Sequence, residues 1–282
     1  MSNNSIVITG CSSGFGRITA IELAQRGWHV FASIRKAEDQ TSLLAEAAEH
    51  NCKDNLTPII CDITDNQQVT ALAQTVAAAT PQLTALLNNA GTAFAAPVEL
   101  LALDDLRAQL EVNVVAQVAV TQALLPLLKA AYGTIINVSS VSGRIATPVT
   151  GAYSASKFAI EALSDALRVE MAPFGVRVVL IEPTSSPTNI WKTSLQRSLP
   201  TLEQHRKGPY GRLLNLTEKV AQRSSQKGFP PMLFAQTVVK ILESRKPRAR
   251  YIVPPGAARE VILRKLLPDS LWDALVRRML HW

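Results

Sequence analysis

The chain has 282 residues, 47% of them hydrophobic, and a net charge of +7. That length suits one large α/β domain or two small ones, and the apolar content excludes a disordered chain. Three cysteines, Cys11, Cys52 and Cys61, are too few and too irregular for a disulfide framework or a zinc site, which points to a reducing, cytoplasmic setting. Ile6-Val7-Ile8 predicts a short buried strand. Arg17 to Arg26 follows as a helix, closed by Gly27. Trp28 to Ile34 reads as a strand, Glu38 to His50 as a helix and Leu56 to Cys61 as a strand. A helix is expected from Asp65 to Ala79, then a strand from Leu83 to Leu87 ending in Asn88-Asn89-Ala90-Gly91. A long helical stretch covers Leu103 to Lys129, and Thr134 to Val138 is a strand ending in Ser139-Ser140. Gly151 to Met171 is helical and Val176 to Ile181 is a strand. This alternation implies βαβ units, a mainly parallel sheet with helices on both faces, and a doubly wound α/β fold. After Pro183 the regularity breaks, and residues 184–230, rich in Ser, Thr, Pro and Gly, read as a long loop. Pro231 to Ser244 reads as a helix and Arg250 to Val253 as the last strand.

Two motifs carry chemistry. The first is the turn Thr9-Gly10-Cys11-Ser12-Ser13-Gly14-Phe15-Gly16, between a strand and a helix. Its glycines permit a tight turn and close backbone approach to a pyrophosphate at the helix N-terminus. The second is Tyr153-Ser154-Ala155-Ser156-Lys157. Residues i and i+4 share a helix face, so the ammonium lies beside the phenol. A free phenol ionises near about 10, and a neighbouring positive charge lowers that value toward neutral pH. A proton donor plus a dinucleotide suggests hydride transfer.

Together with Asp62, Asn88-Asn89-Ala90-Gly91, Asn113 and Ser140, in this order and spacing, these motifs resemble the short-chain dehydrogenase/reductase family. The resemblance covers roughly residues 5 to 253. The wording of Thr9 to Gly16 looks most like the hydroxysteroid and retinol dehydrogenase branches. The resemblance implies a Rossmann fold, with residues 1–255 as a single dinucleotide-binding catalytic domain and 184–230 as a substrate lid within it. It implies Tyr153 as general acid and base, with Lys157 lowering its pKa and holding the nicotinamide ribose. Ser140 would hydrogen-bond the substrate carbonyl, and Asn113 would order a water. The cofactor would lie along Gly10, Ser12, Ser13, Gly14, Phe15 and Gly16, with Asp62 and Ile63 at the adenine. Asn89, Ala90, Gly91, Tyr153, Lys157, Pro183 and Thr188 would complete its site. Homo-oligomers are also implied.

Cofactor choice follows from charge. An acid at the end of the second strand would repel a 2′-phosphate. Here Ile34 stands at that position and Arg35 follows, which favours NADP(H) over NAD(H). The alternatives are that Arg35 is a solvated surface arginine, and that Asp62 is a helix cap. The pattern departs from the family at Thr184, where glycine is usual. That change predicts a displaced loop or weaker nicotinamide binding. Ile190, Trp191, Leu195, Leu199, Leu213 and Leu214 would line the lid for a lipophilic ketone or alcohol, steroid-like or retinoid-like, or would pack on the core.

From Lys240 to Trp282 ten Lys/Arg face four Asp/Glu, so the basicity is a property of the tail and a nucleic-acid-binding core is not expected. In residues 256–282, Leu271, Trp272, Leu275, Val276, Met279 and Leu280 form an apolar stripe beside Arg277 and Arg278. It suits a peripheral membrane contact, a pocket cover, a subunit contact, or docking on its own domain. Elsewhere no run reaches the roughly 18 uninterrupted apolar residues of a membrane span. The short N-terminal lead leaves no room for a signal peptide. Rival readings are an oxoacyl thioester reductase, a cofactor-binding sensor without turnover, and an epimerase or dehydratase. No metal is called for.

Overall fold

The structure is a computed structural model describing residues 4–187, 190–226 and 228–280. Seven parallel strands form one sheet in the order β3-β2-β1-β4-β5-β6-β7. In chain order the elements begin with β1 (Ser5–Ile8), α1 (Gly14–Gln25), β2 (His29–Ile34), α2 (Ala37–Glu49), β3 (Leu56–Ile60), α3 (Asn66–Ala79) and β4 (Ala85–Asn88). Then come α4 (Leu103–Leu110), α5 (Ala116–Ala130), β5 (Thr134–Val138), α6 (Gly151–Met171) and β6 (Arg177–Pro183). The chain ends with α7 (Ile190–Leu202), α8 (Gly211–Gln226), α9 (Pro231–Glu243), β7 (Arg250–Val253), α10 (Ala258–Leu266) and α11 (Asp269–Leu280).

Strand side chains alternate between two cores. Ile6 and Ile8 point to the side of α1 and α9, and Val7 to the side of α3 and α5. Leu86, Ile135 and Val178 join Val7, while Leu87, Ile136 and Val179 join Ile6. Both faces are therefore covered, which is why these strands read as unbroken apolar runs. Phe15 stacks on Phe234 at 4.3 Å between ring centroids and ties α1 to α9. Strand order reverses between β1 and β4, and the crevice at that switch point is where such sheets hold ligands.

Two sequence expectations need correction. Residues 184–230 are not a loop: they hold α7 and α8. Among the described side chains of α7, the buried ones are Ser194, Ser198 and Leu202, at i, i+4 and i+8. Serines replaced the apolar residues that would have announced the stripe. Second, α10 was missed between the last strand and α11. The expected lack of an uninterrupted apolar run holds, although by length and overall composition Leu103–Ala130 is apolar enough to cross a membrane. In the fold it is interrupted by a π-turn at Glu111–Val115, and Val120, Leu124 and Leu128 pack into the core.

Candidate active site

The glycine turn sits where β1 hands over to α1. Gly10 and Gly14 have φ of +73° and +59°, a region that favours glycine. The Thr9 hydroxyl accepts from the amides of Asn89 and Ala90, both at 3.0 Å, pinning the end of β4 to the turn. A Cβ on Gly16 would meet the Gly10 carbonyl at 2.4 Å. Gly16 packs the helix against the turn, behind the residues that line the cleft.

The cleft is about 600 Å³ and runs across the carboxyl ends of the strands. One end holds Gly10, Ser12, Ser13, Gly14 and Phe15, with Arg35, Asp62 and Ile63. Asn89, Ala90 and Gly91 lie along it, and Ser140, Tyr153, Lys157 and Pro183 close its deep end. The Ser13 side chain makes no cap bond with α1, so that helix's first amides point into an uncapped turn. This is the donor set a dinucleotide needs: glycines at positive φ, a helix N-terminus, and an acid and a base at the adenosine end.

Tyr153 and Lys157 come together as their helical spacing requires, both buried. Lys157 Nζ lies 5.7 Å from the phenol ring centroid and donates to the Val138 carbonyl at 2.7 Å. Burial pushes the phenol up to about 12, while a hydrogen bond from Ser140 works against it. Burial pushes Lys157 down to about 8, with Glu161, one turn on, holding it back. For the Tyr153 phenol, desolvation is thus the largest influence, and it acts against the lowering expected from a neighbouring ammonium. Ser140 Oγ lies 3.3 Å from the Pro183 carbonyl and accepts from the Ser142 amide at 3.1 Å. Its one proton can go to Pro183 or to the phenol, not both.

Asn113 is not the exposed amide that mid-helix placement allows. It is buried in the π-turn, where it donates to the Thr92 carbonyl and Ser156 Oγ, both at 3.0 Å, and accepts from the Thr92 amide at 2.8 Å. It does not line the cleft, and reaches the site through Ser156, the residue before Lys157. π-turns often mark functional positions. Behind α6, Glu182 on β6 is buried and pushed up to about 7 by burial and by Glu161. Arg144 and Arg250 each reach it at 3.3 Å.

A family model described as short chain dehydrogenase matches residues 4–198. The chain belongs to the short-chain dehydrogenase family. It is an oxidoreductase acting on CH–OH and C=O groups. It is similar to an NADPH-dependent 3-dehydrocapnine reductase of Ornithobacterium rhinotracheale, 34% identical over 95% of this chain and 94% of that one. It is also similar to human retinol dehydrogenase 5, 37% identical over 98% of this chain and 88% of that protein. Among solved structures, a short-chain dehydrogenase from Streptomyces avermitilis matches with a TM-score of 0.79 and 28% identity, over 98% and 96% of the two chains.

In this dehydrogenase Asp65, not Asp62, caps α3, accepting from the Gln67 amide at 2.8 Å. The Asp62 carboxylate accepts from the Thr64 hydroxyl at 2.8 Å. Asn88, part of the recognised motif, faces away from the cleft into a buried network with Thr121 and Asn137. Thr184 donates from its amide to the Val253 carbonyl at 2.8 Å and from its hydroxyl at 3.3 Å. Among the described residues, positive φ at non-glycine positions occurs at Asn51, Tyr132 and Val149, so Thr184 meets no left-handed strain. The threonine fastens the end of β6 to β7. Thr188 lies outside the described residues, as do the side chains of Leu195 and Leu199. Ile190 and Trp191 do line the cleft, whereas Leu213 and Leu214 pack in small clusters with Ala95, Val149 and Ala96. Sequence reasoning missed Thr92, Phe94, Ser142, Thr193 and Arg197 on the cleft wall. No motif marks them: Ser142 lies in the turn after β5, and the others meet only through the folding of α7 over the loop after β4.

Gly16→Ala is expected to weaken dinucleotide binding at least about tenfold and to lower the melting temperature, because the new methyl meets the Gly10 carbonyl at 2.4 Å and the hydrogen-bonded Asn89 amide at 2.5 Å. Fluorescence titration and thermal melting check both.

Proposed function

We propose that this dehydrogenase interconverts a lipophilic ketone or aldehyde and its alcohol, with NADP(H) as the preferred nucleotide. The observation that carries it is the buried Tyr153, Lys157 and Ser140 group at the deep end of a cleft whose other end is a phosphate cradle. The nucleotide, when bound, supplies or accepts the hydride. Tyr153 gives its proton to the carbonyl oxygen in reduction and takes it back in oxidation. Ser140 donates to the same oxygen and steadies the developing alkoxide. Lys157 holds positive charge next to the phenol and returns protons to it. Asn113 fixes the start of that helical turn through Ser156. Arg35, exposed at the adenosine end, supports the NADP(H) preference. The NADPH-dependent relative supports it too. Trp191 meets Tyr153 edge-on at 5.3 Å and gives the substrate side an apolar wall. Residues 1–255 act as the catalytic domain in this reading.

A membrane-surface role for α10 and α11 has its own observation. Ile262, Leu263, Leu266, Leu271 and Met279 are exposed large apolar residues, set among Lys265, Arg277 and Arg278. Val276 is buried and Leu280 packs beside Leu213, so α11 docks on its own fold and leaves the rest of its stripe outward. The reading is of a cytoplasmic enzyme that rests on anionic lipid through this end. Exposed Val115, Phe158, Leu163 and Val169 along the π-turn and α6 suit a homo-oligomer.

Tyr153→Phe is expected to remove turnover, by about 10³-fold or more, while cofactor binding stays close to wild type. Near-normal turnover would end the mechanism. Arg35→Asp should raise the NADPH Kd at least about tenfold more than the NADH Kd, since a carboxylate replaces a phosphate partner; equal losses would mean that Arg35 does not read the 2′-phosphate. Removal of residues 269–282 should leave a folded protein that binds NADP(H) yet no longer sediments with anionic vesicles. Salt should release the full-length chain. A full-length chain that ignores vesicles at low salt would exclude the membrane reading.

A further inference from the structure

The mouth of the cleft holds a cation with no task in the chemistry so far. Arg197 lies on α7, six residues after Trp191, hence about 9 Å along the helix axis from the residue that touches Tyr153. Its Nη1 donates to Thr92 Oγ1 at 2.9 Å, and its guanidinium carbon sits 5.5 Å from the centroid of the Phe94 ring. Both partners are neutral. Among the described residues, no carboxylate lies within ion-pair distance of Arg197. The other charged residues of the cleft wall are Arg35 and Asp62 at the adenosine end and Lys157 below. Arg197 is thus held by two contacts that fix its direction without neutralising it. Trp191 against Tyr153 and Phe94 against Arg197 put an aromatic ring beside each of the two groups, with Ile190, Thr92 and Thr193 also lining the cleft. A guanidinium in this position keeps a fork of unused donors, which suits a carboxylate, sulfonate or phosphate. An unneutralised charge at the mouth of a cleft also draws in the opposite charge.

We infer that Arg197 is a specificity-determining residue, and that the substrate is an anionic amphiphile. Its carbonyl or alcohol carbon lies at Tyr153, an apolar spacer lies along Trp191 and Phe94, and an acidic group sits on Arg197. The inference rests on reading this cleft as the substrate site of a carbonyl reductase.

The test uses matched probes: a medium-chain oxo acid, with ketone and carboxylate at opposite ends, and its methyl ester. Binding of each to the NADP(H)-loaded full-length protein is measured by calorimetry, and KM and kcat by nicotinamide absorbance. Wild type is expected to bind the acid about five- to tenfold tighter than the ester, the size of one charge-assisted hydrogen-bonded pair at a cleft rim. In Arg197→Gln that ratio should fall to about one, in Arg197→Lys part of it should return, and added salt should shrink it in wild type. The same ratio in wild type and Arg197→Gln, or no preference in wild type, overturns the inference. So does a rise in the NADPH KM in Arg197→Gln with the acid preference intact, which would assign the arginine to the cofactor. If wild type turns over neither probe, the reductase reading fails for such ketones, while the binding ratio still decides the anion subsite.

Discussion

The structure depends on one costly act: Lys157 is buried next to a buried phenol. An ammonium out of water is stable only with replacements for its hydration. The Val138 carbonyl supplies one, and the charge of Glu161 supplies another. Both positions follow from the fold. Val138 is the last residue of β5, and Glu161 is one turn beyond Lys157 on α6. With Lys157 pushed down to about 8, it is mostly charged at neutral pH but gives up a proton more readily than a surface lysine. Linkage has a definite sign here. The unfolded lysine binds its proton up to a higher pH than the folded one, so between about 8 and the unfolded value this group makes stability rise with pH.

Support for that lysine reaches beyond the cleft. Arg250 on β7 bonds Glu161 at 2.9 Å and Asp165 at 2.7 Å, so the edge strand is tied by charge to α6. Arg144, just after Ser140, reaches Glu182 on β6. The loop bearing Ser140 and the helix bearing Tyr153 therefore share one buried ionic cluster. Removing one partner would leave a buried charge without compensation, which costs more than the pair itself contributes.

Much of this was legible in the sequence, because the relevant signals are local. Strands of the parallel sheet are buried on both faces, so runs such as Ile6-Val7-Ile8 declare themselves. Gly10 and Gly14 mark left-handed backbone, and Tyr153 and Lys157 share a helix face. What stayed hidden depends on distant contacts or on side chains that break pattern. Ser194 and Ser198 concealed the buried stripe of α7. Arg197 meets Thr92 across 105 positions of sequence, and nothing local signals it. The raised ionisation of Tyr153 was not legible, because periodicity shows which groups are neighbours and not how dry they are.

The central claim is that Tyr153 becomes an acid of useful strength only when positive charge and a bound nucleotide share its dry pocket. Ultraviolet difference titration of the tyrosines, with Tyr153→Phe as the reference, measures this directly in the free and the NADP⁺-loaded protein. The account expects the Tyr153 phenol to titrate near 12 in the free protein and clearly lower when loaded. The same high value in both states would contradict it.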